Sequence, residues 1–325
     1  GGPARRKTRK SKQPPVTVIE SVQYRGDGAG YLEPGNTQLF LLSADGGTPR
    51  QLTSGPYDHG GRLAWTPDGE SIIFAANRQE DWIYDPVAAE LWSIDVATGE
   101  LTQLTDRNGP DAGPTISPDG SKIAYLGFDD QKLGYHSWQV YIMDRQSGKV
   151  DVLAKALDRE VEDVQWISNK SLLISYDDNG DKVIASLSLA DRVDVITRDL
   201  GGVTLGRPYV SGGFSVAANG AFAYSAGSST RPADVGVGRG SRATRRITDL
   251  NTDLLGHKSI GAAEEIRFQS SADGLEIQGW IVKPPDFDPA KKYPLILQIH
   301  GGPHGMYGVD FDFERQNHAA NGYVV

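Results

Sequence analysis

Short apolar runs separated by turns rich in glycine and proline recur along most of the chain, and their spacing predicts repeated antiparallel strands. Leu39-Phe-Leu-Leu-Ser43 is followed by a Gly46-Gly47 turn and Arg50-Gln-Leu-Thr53. Leu91-Trp-Ser-Ile-Asp95 leads through Thr98-Gly99 to Thr102-Gln-Leu-Thr105, and Val140-Tyr-Ile-Met-Asp144 leads through Ser147-Gly148 to Val150-Asp-Val-Leu153. Between them lie Ala64-Trp-Thr-Pro-Asp-Gly69 with Ser71-Ile-Ile-Phe74, and Thr115-Ile-Ser-Pro-Asp-Gly120 with Lys122-Ile-Ala-Tyr125. Worn copies follow at Val164–Ile174 and Phe214–Tyr224, the last closing near Arg245-Arg-Ile-Thr248. In each Pro-Asp-Gly turn, Pro presets φ, Asp bonds its own backbone and Gly takes the positive φ. Each unit predicts three or four short strands, which cannot bury both sheet faces alone, so the copies must stack. Radial stacking is a β-propeller. About five units are recognisable over residues 16–262, the expected propeller.

The pattern changes near residue 263. Glu264–Ser270 alternates like a strand, Asp273-Gly274 is a hairpin signal, and Leu275–Val282 pairs back. Leu295-Ile-Leu-Gln-Ile299 is nearly continuous apolar and predicts a strand buried on both faces. Phe311 to Asn321 predicts a helix, and Gly322–Val325 a further strand. Strand, helix and strand after a hairpin predict the opening of an α/β sheet over 263–325.

The order of these parts carries a resemblance. A propeller pattern, then Ser271-Ala-Asp-Gly-Leu-Glu-Ile-Gln-Gly-Trp280, then Tyr293-Pro-Leu-Ile-Leu-Gln-Ile-His-Gly-Gly-Pro-His304, then Ala319-Ala-Asn-Gly-Tyr-Val-Val325 resembles the prolyl oligopeptidase family of serine peptidases. The acylaminoacyl-peptidase and dipeptidyl-peptidase-like branch is the nearest in pattern. The resemblance implies a propeller of about seven blades when complete, limiting access to an α/β-hydrolase domain that cleaves short peptides. It also implies an oxyanion held by two backbone N–H groups, one of them from the loop after the third strand. By motif position that donor is Gly302, with Gly301 letting the backbone approach. His300 orients the loop and is not the base. His304 and Tyr307 are candidates for the substrate entrance.

One departure is large. No G-x-S-x-G occurs in the chain; Gly213-Phe-Ser-Val-Ala217 differs at its last position and lies within the propeller. The resemblance therefore implies a nucleophile, acid and base beyond Val325, on a longer polypeptide or a separate C-terminal fragment, and no hydrolysis by this chain alone. A non-catalytic interaction propeller is the competing reading, and residues 264–325 argue against it.

Composition sets outer bounds. With 325 residues, 38% hydrophobic and 23% charged, the chain has room for two domains. A net charge of −9 argues against a nucleic-acid-binding body. The absence of cysteine removes any need for an oxidising compartment and mildly favours the cytoplasm. No apolar run reaches the roughly 18 residues of a membrane span. Residues 1–15, with six Lys or Arg and then Pro14-Pro15, read as a basic linker. Peptide substrates are the expected partners; a homo-oligomer is left open, and no cofactor or metal is expected. Asp177-Asp-Asn-Gly-Asp181 offers oxygen ligands but reads as a hairpin turn without the later bidentate Glu of a Ca²⁺ loop. Gly26–Gly30 and Gly236–Gly240 read as blade loops, not phosphate loops. His59, His136 and His257 are expected at surface or strand-end positions, and the tryptophans in the core.

Overall fold

The computed structural model describes residue 16 and residues 18–204, 209–240, 242–302 and 304–325. The basic tract 1–15 and Pro303 lie outside them. The described residues are nearly all β. Two short hairpins come first: β1 (Arg25–Gly26) with β2 (Gly30–Tyr31), and β3 (Phe40–Leu41) with β4 (Arg50–Gln51).

Next come four-stranded antiparallel sheets in simple meander order. One comprises β5 (Gly60–Trp65), β6 (Ser71–Ala76), β7 (Glu90–Asp95) and β8 (Leu101–Gln103). A second comprises β9 (Asp111–Ile116), β10 (Lys122–Gly127), β11 (Gln139–Asp144) and β12 (Val150–Leu153). A third comprises β13 (Val161–Ser168), β14 (Ser171–Asp178), β15 (Asp181–Ser188) and β16 (Val193–Leu200). The last comprises β17 (Phe214–Val216), β18 (Ala221–Ser228), β19 (Arg231–Arg239) and β20 (Arg245–Arg246), and it meets the ladder of its predecessor at Leu200 and Ala226.

The middle strands are apolar on both faces because each sheet is clasped by two neighbours. Leu172, Ile174 and Tyr176 of β14 pack with Ala124, Val140 and Ile142 of the preceding sheet. Leu173, between them in sequence, packs with Phe214, Phe222 and Tyr224 of the following one. Strand period two thus sends alternate residues into different inter-sheet cores. The first strands β5, β9 and β13 pack against one another, which gives the sheets their propeller-like arrangement.

The turns form for the reasons the residues suggest. Asp68 accepts from the Thr66 hydroxyl and the Glu70 N–H, and Gly69 has φ +74°. Asp119 does the same with Ser117 and Ser121, and Gly120 has φ +73°. A second device recurs in three of the units. The Thr53 hydroxyl accepts from the Leu39 N–H and donates to Gln38; Thr105 does so with Leu91 and Glu90, and Thr248 with Val235 and Asp234. One hydroxyl therefore clasps the last strand of a sheet to the start of the strand before it.

Beyond β20 come a single helical turn α1 (Thr252–Leu255), the hairpin β21 (Ala263–Gln269) with β22 (Glu276–Val282), and α2 (Phe313–Ala320). Asp312 caps α2 through the Arg315 N–H at 2.7 Å, which sets its start two residues later than the sequence pattern suggests.

Four sequence expectations are corrected. Leu295–Ile299 forms no ladder: it is held to the chain's last residues by a single parallel bridge, Leu295 to Val324. Leu295, Leu297 and Ile299 are 69, 75 and 77% exposed, because the described residues place no layer over them. Gly236 and Gly238 lie inside β19, not in a loop; a Cβ at either would overlap the ring of Tyr224 or Phe222 on the paired strand. His59 is fully buried, edge-on to Phe74 and bonded to the Arg78 guanidinium. The tryptophans divide: Trp166 is core, whereas Trp65 is exposed.

Candidate functional site

The glycine pair Gly301-Gly302 stands exposed at the end of the Leu295–Ile299 segment, and Gly302 has φ +143°. Among the described residues, neither glycine's N–H has a hydrogen-bond acceptor. Paired, unsatisfied N–H groups at a strand end can bind an anion or a developing oxyanion. The His300 imidazole is exposed, with Nδ1 2.8 Å from the Gly301 carbonyl and its ring 5.7 Å from that of Tyr307. Tyr307 in turn meets Tyr209 edge-on at 4.9 Å and pairs with it in an antiparallel bridge. His304 leaves this group and stacks at 4.7 Å on Tyr135, in the loop between β10 and β11.

His304 therefore lines a cleft of about 580 Å³ between the 304–306 segment and the third four-stranded sheet, with Tyr135, Glu160, Glu162, Asp177 and Met306. Tyr307 lies outside it, against Tyr209. Two of the lining carboxylates, Glu162 and Asp177, are paired with the buried Lys182 ammonium, Asp177 at 2.7 Å. Burial works against the Lys182 ammonium, but the two carboxylates outweigh it and raise its pKa. Beside it, Asn179 (φ 53°) and Gly180 (φ 92°) form the two-residue turn between β14 and β15 expected for Asp177–Asp181. Asp178 is engaged there by Arg159 and Arg198, at 2.9 and 2.8 Å.

Glycine contacts and a buried carboxylate join the two parts of the chain. The Val309 N–H donates to the Gly180 carbonyl at 3.0 Å. Asp310, buried, accepts from the Gly202 N–H at 3.0 Å and from the Ser211 N–H and hydroxyl at 3.3 Å each. Burial raises the Asp310 pKa, and these three donors pull it back. Arg315, also buried, donates to the Asp310 and Gly308 carbonyls at 2.7 and 3.1 Å. Sequence reasoning missed Tyr209, Glu162, Lys182 and Asp310, since none belongs to a local motif and each acquires its neighbours only by folding.

Residues 11–122 match the family described as the dipeptidyl peptidase IV (DPP IV) N-terminal region. The chain is 29% identical to the "Uncharacterized peptidase YuxL" of Bacillus subtilis (strain 168), over 89% of this chain and 57% of that protein. It is 26% identical to dipeptidyl-peptidase 5 of Porphyromonas gingivalis, over 86% of this chain and 40% of that protein. Among solved structures, an acylaminoacyl peptidase of Pyrococcus horikoshii superposes with a TM-score of 0.73 at 21% identity, over 97% of this chain and 47% of that one. The chain thus spans about half the length of the relatives it matches. In sequence and in fold, the chain is similar to the N-terminal portion of dipeptidyl-peptidase-like and acylaminoacyl-peptidase-like proteins.

Proposed function

We propose that this chain supplies the access-limiting propeller and the oxyanion arm of a serine-type hydrolase of short peptides. Residues 16–262 are the propeller part, about seven blades when complete, and 263–325 open the α/β-hydrolase domain. The observation that carries the reading is the exposed, positive-φ Gly302 beside Gly301, at the end of a segment bridged in parallel to Val324. A parallel neighbour is what an α/β sheet provides, and glycine lets the backbone approach a reacting carbonyl. Gly302 N–H donates to the oxyanion, and His300 orients the loop. A peptide passes through the cleft lined by His304 and Tyr135. The nucleophile, its base and the orienting acid lie outside these 325 residues, because no G-x-S-x-G occurs among them.

The test uses the full-length gene product carrying this chain, with the 325-residue chain alone as control. A serine-directed fluorophosphonate is expected to label the full-length protein and leave the control unlabelled. The full-length protein should also hydrolyse chromogenic amides of acetylated amino acids or of dipeptides with a free N-terminus. No labelling and no hydrolysis on either substrate type would overturn the peptidase reading and favour an interaction propeller.

A further inference from the structure

We infer that Tyr209, on the propeller loop between β16 and β17, is a positioning residue for the glycine loop 300–305. The inference rests on the oxyanion reading above. An oxyanion donor contributes to rate only if it is preorganised, since a loop that must order during reaction loses much of the gain. Among its described residues, the 300–305 stretch has no ladder of its own, and its glycines leave the backbone many conformations.

Its support comes from the other part of the chain. The Tyr209 ring lies against two of the loop's glycines: a Cβ at Gly305 would sit 3.5 Å from Tyr209 Cε1, and one at Gly301 3.9 Å from Tyr209 Oη. Tyr209 also pairs through its backbone with Tyr307, whose ring meets the His300 imidazole. One side chain therefore lies beside the loop at Gly301 and Gly305, and one bridge holds Tyr307 just beyond it.

Tyr209 is itself clamped. The Thr204 hydroxyl donates to the Tyr209 carbonyl at 3.0 Å and lies 3.0 Å from the Ser211 hydroxyl. Ser211 is anchored on the Asp310 carboxylate, eight residues beyond Gly302. These contacts make a closed circuit from Asp310 through Ser211, Thr204 and Tyr209 to the glycine loop. Contact with the propeller and the shape of the oxyanion loop are thus one structural event.

In the full-length protein, Tyr209→Ala is expected to lower kcat about tenfold or more with KM changed less than about threefold, since an oxyanion donor acts mainly in the transition state. Tyr209→Phe keeps the ring and should retain kcat within about twofold. Ser211→Ala removes the clamp without opening a large cavity and should move kcat in the same direction as Tyr209→Ala. In the same protein, amide hydrogen exchange of the 298–308 peptide should accelerate in Tyr209→Ala and Ser211→Ala, while β13 to β15 stay unchanged. Unchanged loop exchange, or equal losses of kcat in the Phe and Ala variants, would overturn the positioning role and leave the peptidase reading standing. Absence of turnover by the parent protein, with loop exchange still responding, would instead overturn the oxyanion reading.

Discussion

The Asp310 carboxylate accepts from the Gly202 N–H at 3.0 Å although 108 residues separate the two. The contact needs a glycine next door, because a Cβ at Gly201 would overlap the carboxylate. Gly201→Ala is therefore expected to cost about 1–3 kcal/mol. Gly213→Ala, where a Cβ meets nothing within 4 Å, is the control and should change stability little. Urea unfolding of both variants checks this; equal effects would remove the packing argument.

Thr105 offers a test of the repeated clasp. Its hydroxyl accepts from the buried Leu91 N–H at 2.9 Å and donates to Glu90 at 2.5 Å. Thr105→Val keeps the shape and strands both groups, and is expected to destabilise by about 1–3 kcal/mol. Thr105→Ser should keep most of the stability. A valine variant as stable as the parent in thermal unfolding would show that the clasp is incidental.

Glu90 should make stability fall with rising pH. Burial pushes its pKa from 4.5 up to about 7, the Thr105 hydroxyl opposes this, and the Asp111 carboxylate adds to it. The folded state then holds a proton that the unfolded chain releases, so stability is fully present below about pH 4.5 and is lost as pH approaches 7. The loss attributable to this group is on the order of 3 kcal/mol. Glu90→Gln should flatten that part of the profile. An unaltered slope between pH 5 and 7, measured by denaturant unfolding at about ten pH values, would contradict the assignment.

Gly180 is constrained twice, by φ +92° and by the Trp280 ring, into which a Cβ would project. Gly274 has φ +75° but open space around it. Alanine at Gly274 should cost about 1 kcal/mol for the backbone alone, and alanine at Gly180 more. The excess in Tm loss measures the contact between the β14–β15 turn and β22. Equal losses would mean that the contact contributes nothing.

Gly302→Ala bears on chemistry. With φ +143° and a Cβ 2.8 Å from the His304 N–H nitrogen, the loop must move to accept the methyl group. If Gly302 donates to the oxyanion, kcat of the full-length protein should fall about 100-fold or more with a much smaller change in KM. A change confined to KM would place this residue in ground-state binding instead.

Local chemistry made much of this architecture legible. Pro-Asp-Gly turns, Thr-Gly and Ser-Gly hairpins and apolar runs of strand length each depend on a few adjacent residues. The turns at Asp68 and Asp119, the hairpin at Asn179-Gly180 and the β21–β22 pair accordingly formed where residue type and spacing placed them. The His300-Gly-Gly stretch was visible for the same reason. Leu295–Ile299 shows the boundary: its apolarity specifies a strand that must be covered, and only the packed chain shows which faces have cover. His59 was misplaced because burial depends on what crosses above a residue, here Phe74 and Arg78. Tyr209 and Asp310 had no signature at all. Each is an ordinary side chain in an irregular loop, and its importance arises from partners roughly 100 residues away, whose proximity is a property of how the sheets stack.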